Sequence, residues 1–208
     1  MLRRESVESK RNTKVEIKKN LKENDLCNAA FELFTTKGIK ATAIDDIVRK
    51  AGVAKGTFYL YFKDKHDILN RLILRHSSKI VKEAMEETAR KNIVDFEEMV
   101  LFYVNYIIEL FKDSKLLLKL INKNFSWGIY RREIMKPEEH KEMQQLIEIF
   151  IKNMKERGMG LKEAEITLFM IIELVGTVCY SSIILGEPYE IDEVKPHLCE
   201  KIINMLRC

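Results

Sequence analysis

Proline and glycine are scarce, 3 and 8 in 208 residues. A many-stranded β fold needs tight turns at short intervals, and these two residues supply most of them. Their low count excludes a sandwich or a barrel. The four cysteines, Cys27, Cys179, Cys199 and Cys208, are widely scattered and form no CxxC pair, which removes a zinc ribbon and a disulfide framework. They are expected as reduced thiols, three packed as small hydrophobes and the last free near the end. There is no HExxH, no GxSxG, no Gly-rich phosphate loop and no His/Cys group at metal-ligand spacing, so neither catalysis nor a metal nor a cofactor is expected. No apolar signal core follows the charged start MLRRESVESKRNTK, and a cytoplasmic location is the expectation.

Glu, Lys, Leu, Ile and Met take up the space that turn residues leave, and these are mostly good helix formers. With 46% hydrophobic and 33% charged residues, the chain has the balance of a folded protein. The expected class is all-α. The net charge of +4 conceals an asymmetry: residues 1–77 carry 17 Lys+Arg against 10 Asp+Glu, whereas residues 78–208 carry 19 against 22. A basic first third on a slightly acidic remainder points the N-terminal part toward a polyanion.

Residues 1–24 hold eight basic and four acidic side chains with few large apolar ones, and read as a solvated arm. It is either a plain disordered tail or an additional phosphate or minor-groove contact. From Asp25, a candidate N-cap, Leu26, Ala30, Leu33 and Phe34 recur on one helix face up to the stop at Gly38. Thr42 is placed as the cap of a second helix, with Asp45 in the capping-box position and Ile44, Ile47, Val48 and Ala51 inward. Gly52 turns the chain. The short stretch 55–61 forms a third helix, and Asp64 caps a long fourth one with Ile68, Leu69, Leu72 and Ile73 inward. Later helices are predicted near 93–111, 114–122, 125–135, 138–157, 161–185 and 192–206.

In 55–62 the helical spacing separates two sides. Phe58 and Phe62 fall inward, Lys55 shares another face with Tyr59, and Thr57 shares one with Tyr61. Gly56 carries no side chain and permits close approach to bases or phosphates. The free N–H groups behind Thr42 make an anion site. Such an arrangement suits a helix-turn-helix, whose second helix enters the major groove. The run TTKGIKATAIDDIVRKAGVAKGTFYLYFKDKHDIL closely resembles the DNA-binding segment of TetR-family regulators, and the resemblance extends over about 50 residues from Asp25 to Arg75. It implies a helix-turn-helix domain at 25–75 and a helical ligand-binding and dimerisation domain at 76–208. By position it implies that Lys55, Gly56 and Thr57 approach bases or flanking phosphates. Tyr59 and Tyr61 would contact phosphates, Tyr61 also a thymine methyl, and Thr42 and Lys65 would hold the DNA backbone on either side. Asp45 and Asp46 would repel phosphates, and are expected to point away or to cap.

Residues 166–185 are almost wholly apolar, with Glu173 the single charge. The length reaches that of a membrane span, but Glu, Thr, Gly and paired Ser favour a helix packed on two sides. No membrane partner is expected. The resemblance implies a homodimer through helices near 138–157 and 161–185, with Gly176, Thr177, Ser181 and Ser182 allowing close approach. The aromatic-rich stretch 96–130 would enclose a small-molecule effector of unknown identity, with Tyr103, Trp127 and Glu173 as candidate ligand contacts; core packing is the competing role for these aromatics, and an internal partner is the competing role for Glu173. His140 is expected to be inert. The implied function is a repressor released by its effector from a palindromic, inverted-repeat operator in double-stranded DNA. Action as an activator or through protein partners is the alternative.

Overall fold

The structure, a computed structural model, describes residues 20–124 and 141–207. All regular structure among them is helical. Tertiary contacts divide the chain into two units, with the division between Leu72 and Ile73.

In the first unit, helix α1 covers 20–36. It buries Leu26, Ala30, Leu33 and Phe34, with Cys27 and Ala29 beside them. Asp25 therefore lies inside α1 and does not cap it, and residues 20–24, assigned to the arm by the sequence reading, are helical. The helix outruns its buried face because Leu21, Lys22 and Glu23 are good helix formers even where no core lies beneath them. Helix α2 (Ile44–Ala51) buries Ile47 and Val48. Its N-cap is Ala43, not Thr42, and the Ala43 N–H donates to Asp46 Oδ2 (3.3 Å). The capping carboxylate thus sits one residue later than the expected Asp45. Gly52, at φ +66°, ends α2, and the Val53 N–H reaches back to the Val48 carbonyl (3.0 Å), a left-handed stop that a side chain would strain. Helix α3 (Lys55–Tyr59) is five residues long. Helix α4 (Lys65–Arg90) starts at Asp64, whose Oδ1 accepts from the N–H of His66 (2.7 Å) and Asp67 (2.9 Å). Those N–H groups hold the Asp64 carboxyl below its ordinary pKa.

The second unit contains the rest of α4 together with α5 (Phe96–Asp113), α6 (Lys115–Asn124), α7 (Lys141–Glu156), α8 (Leu161–Cys179) and α9 (Ile191–Leu206). Asp95 caps α5, accepting from the Glu98 N–H at 2.9 Å. The predicted helix near 125–135 lies outside the described residues. The predicted helix 161–185 is α-helical only to Cys179, and Tyr180–Leu185 continues as a π-helical turn ending at Gly186. Helix α8 packs on α5, α6, α7 and α9, and the π turn packs on α6. Its inner face is Ala164, Thr167, Ile171, Val175 and Cys179. The segment Leu161–Leu185 is long and apolar enough to cross a membrane, with a mean hydropathy of 2.1. Two packing faces on one helix give the same composition. Cys179 is fully buried, and burial pushes its thiol up to about 12, so it stays protonated and unreactive. Among the described residues no disulfide forms.

Three helix ends are tied by one carboxylate. Glu97, at the start of α5, accepts from Arg157 (2.9 Å) and from both arms of Arg207 (2.7 and 3.1 Å), while Arg157 also lies 5.0 Å from the Phe96 ring centre. Arg207 and Arg157 together hold the Glu97 carboxyl at a pKa of about 2. A carboxyl depressed in the folded state adds stability above its unfolded pKa, and that stability fades as pH falls toward the folded value. The melting temperature of the native protein should therefore exceed that of a Glu97→Gln variant above pH 5, with the gap closing between pH 5 and 2. A gap independent of pH would show that the charge contributes nothing.

Candidate nucleic-acid interface and ligand cavity

The short helix α3 has one side committed to the core. Phe58 is completely buried and Phe62 nearly so, with ring centres 5.6 Å apart. The remaining positions face water: Lys55 and Gly56 are exposed, Tyr59 is 53% exposed, and Thr57 and Tyr61 are half-buried. Leu60, 79% exposed, is the residue that sequence reading missed. Its neighbours drew attention through their polarity, while an apolar side chain in water becomes conspicuous only once its exposure is known. Beside Tyr59 it offers an apolar surface of the kind that meets a thymine methyl.

Gly56 has a backbone that any residue could adopt, and a methyl built on it would meet nothing within 4 Å. The fold has no internal need for glycine there. In a helix, alanine is more stable than glycine by about 1 kcal/mol, so nothing inside this unit favours glycine at position 56.

Lys55 is not free. Its ammonium pairs with Asp45 at 2.9 Å, which raises the lysine's pKa. Asp46 caps α2 and pairs with Arg49. Asp46 is thus a cap, as expected, whereas Asp45 neither caps nor points away but pairs with the lysine of α3.

Two of the expected backbone contacts are turned inward. Thr42 is 1% exposed, and its hydroxyl donates to the Gly38 carbonyl at 2.8 Å. In this conformation it presents no side-chain surface to a phosphate. Lys65 is half-buried, and its Nζ donates to the carbonyls of Ile39 (2.9 Å) and Thr42 (3.3 Å). Together they close the 38–42 turn against the start of α4. The physical reason is that this turn leaves several carbonyls without helical partners, and a hydroxyl and an ammonium satisfy them.

The second unit holds a cavity of about 220 Å³ with walls from α4, α5, α6, α7 and α8. Most of the wall is aliphatic or aromatic, including Ile80, Val104, Phe111, Leu146, Phe150 and Ile172. Its polar members are Ser77, Tyr103, Asn122 and Glu173. Tyr103 and Glu173 both line the cavity; Trp127 and His140 lie outside the described residues. Burial raises the Tyr103 phenol's pKa, and a hydrogen bond with Thr88 works the other way. Ser78 Oγ donates to Met143 Sδ (2.9 Å), joining α4 to α7 beside the cavity.

Outside the cavity, α8 carries exposed Ile166, Phe169 and Met170, with Glu173 and Thr177 continuing the same face and Leu185 exposed beyond it. Gly176 and Ser182, expected at the dimer seam, are placed differently. A methyl on Gly176 would lie 3.5 Å from Asn122 of α6, and Ser182 is buried. Ser182 is thus packed inside the protomer, whereas a methyl at Gly176 would make only an ordinary contact.

The family profile for bacterial regulatory proteins of the tetR family matches residues 26–72. The HTH-type transcriptional regulator YhgD of Bacillus subtilis is 29% identical over 157 residues, covering 72% of this chain and 78% of that protein. The fatty acid metabolism regulator protein of the same organism is 32% identical over 93 residues, 45% of this chain and 47% of its own length. Among solved structures, a transcriptional regulator FadR from Bacillus subtilis in complex with stearoyl-CoA superposes with a TM-score of 0.63 at 18% identity, covering 87% of this chain and 97% of that one. A tetR-family regulator from Shewanella gives 0.66 at 14% identity, covering 89% and 95%. The matched profile, the HTH-type regulators among the relatives and the shared all-helical fold lead to one identification: residues 26–72 form a DNA-binding domain of the tetR-family type, within a chain that has the fold of tetR-family regulators.

Proposed function

We propose that the protein is a homodimeric repressor that leaves a two-fold symmetric operator when a small apolar molecule fills the cavity of its second unit. The observation that carries the DNA half is α3 itself, with Phe58 and Phe62 anchored inside and Lys55, Gly56, Tyr59 and Leu60 presented to solvent. Phosphate contacts by lysine and tyrosine position such a helix, and Thr57, Leu60 and Tyr61 read base edges. The DNA-reading domain extends through α1–α3 and the first turns of α4.

Support for a dimer comes from the exposed apolar face of α8, which pairs with its twin and with α7 to place two recognition helices about 34 Å apart. Support for an apolar effector comes from the cavity wall and from the FadR relative that holds stearoyl-CoA. Ser77, Ile80 and Val81 of α4 line the cavity, and the same helix begins at Lys65 beside the recognition helix in sequence. A ligand that displaces α4 changes the spacing of the two readers, and the coupling is reciprocal: DNA weakens the effector by the same factor. Work on DNA places the protein in the cytoplasm, in keeping with soluble regulators of this type.

Selection from a random duplex pool tests the DNA half. An inverted repeat should be enriched, with log affinity falling against log salt at a slope of about −0.9 per phosphate contacted. Enrichment of nothing, with weak binding at low salt, would sink the reading. On the selected site, Gly56→Ala should bind at least tenfold more weakly while melting no lower than the native protein. Unchanged affinity would remove Gly56 from the interface.

A further inference from the structure

We propose that the cavity of the second unit takes an amphiphile with a cationic head, its apolar body against the α4, α5 and α7 walls and its positive charge at Glu173. This rests on the cavity being the effector site.

Among the described wall residues Glu173 is the single formal charge, and no Lys, Arg or His stands with it. An apolar cavity pays heavily for any charge it admits unless a partner of opposite sign waits there. A carboxylate or phosphate head would therefore find no cation among the described wall residues and one carboxylate to repel it. An ammonium head would find the carboxylate.

Three further observations place the head. Glu173 is exposed and follows Ile166, Phe169 and Met170 along one face of α8, so a partner helix laid on that face removes water from the carboxylate. No ion pair or hydrogen bond to Glu173 exists among the described residues, and a carboxylate withdrawn from water requires a counter-charge. Gly176, three residues on and so on the same side of the helix, also lines the cavity and leaves room beside Glu173. The Asn122 amide lies next to that gap, 3.5 Å from where a Gly176 methyl would stand. The head thus has a charge, a gap and a polar neighbour at one end of the wall, while the Tyr103 hydroxyl is the polar group of the α5 wall.

The test uses the full-length protein and three probes with one chain and different heads: decyltrimethylammonium, decanol and decanoate, each below its aggregation limit, measured by calorimetry. Decyltrimethylammonium should bind at least tenfold more tightly than decanol, and decanoate more weakly than decanol. In Glu173→Gln the preference should vanish while decanol binds as before. Equal affinities for all three, or decanoate bound tightest, would overturn the head assignment and leave the cavity as an apolar effector site. Failure of all three, decanol included, would overturn the effector cavity itself and this proposal with it. The comparison of heads on the native protein stands whether or not the variant folds.

Discussion

A Phe169→Glu, Met170→Glu double variant should elute as a monomer and bind the selected operator about 10²–10⁴-fold more weakly than the native protein, the gain that linked binding normally gives. Phe169 and Met170 are exposed together with Ile166 on α8, and aromatic residues and methionine are the types enriched in interfaces. Across a two-fold axis the same patch meets itself, so each substitution acts twice. Four carboxylates brought into an apolar seam have no cations to offset them, and burying them unpaired opposes association. Inside the protomer the same positions face water, and the monomer should keep its helical content and its affinity for decanol. Light scattering with a gel-shift titration decides the matter: a dimer that persists would move the seam away from α8.

The second large effect is expected from Phe58→Ala. Phe58 is fully buried, 5.6 Å from the Phe62 ring centre and 5.4 Å from that of Tyr59. Removing a buried phenyl ring destabilises by about 3–5 kcal/mol. A unit built on one longer helix, two short ones and the start of a fourth has little to spare, since small domains bury a modest share of their surface. DNA binding should be lost, and calorimetry should show a low-melting transition for the first unit. The second unit, with its own core around Ile108, Leu118, Met154 and Ile202, should melt as before and still take decanol. An unchanged melt with intact DNA binding would mean that Phe58 does not hold the recognition helix.

The two units differ in how plainly their sequence reveals them. In the first, short helices with polar outer faces leave a clear spacing signal. Leu26, Ala30, Leu33, Phe34, Ile47, Val48, Phe58 and Phe62 are inside as their periodicity requires, and Gly38 and Gly52 turn with positive φ where the helices had to stop. The misassignments there are local. A cap is chosen by competition among neighbouring hydroxyls, carboxylates and carbonyls, and in that competition Asp46 takes the cap of α2 while the Thr42 hydroxyl turns to the Gly38 carbonyl. In the second unit α8 is apolar nearly all round, and a helix without a polar side has no phase to read. Its place among the helices, and the cavity beside it, depend on contacts distant in the chain.

The sequence by itself determined the helical class and the helices of the first unit with their inward and outward residues, because each depends on spacing within a few residues, and the run matched at 26–72 carried the resemblance to the tetR-family DNA-binding domain. Only the tertiary structure decided that Ser182 packs within the protomer, that Gly176 lines the cavity, that Leu60 stands in water, and that Glu173 lines the cavity while lying on the exposed face of α8. Those outcomes arise where helices far apart in the chain meet, and spacing along one helix carries no record of what packs against it.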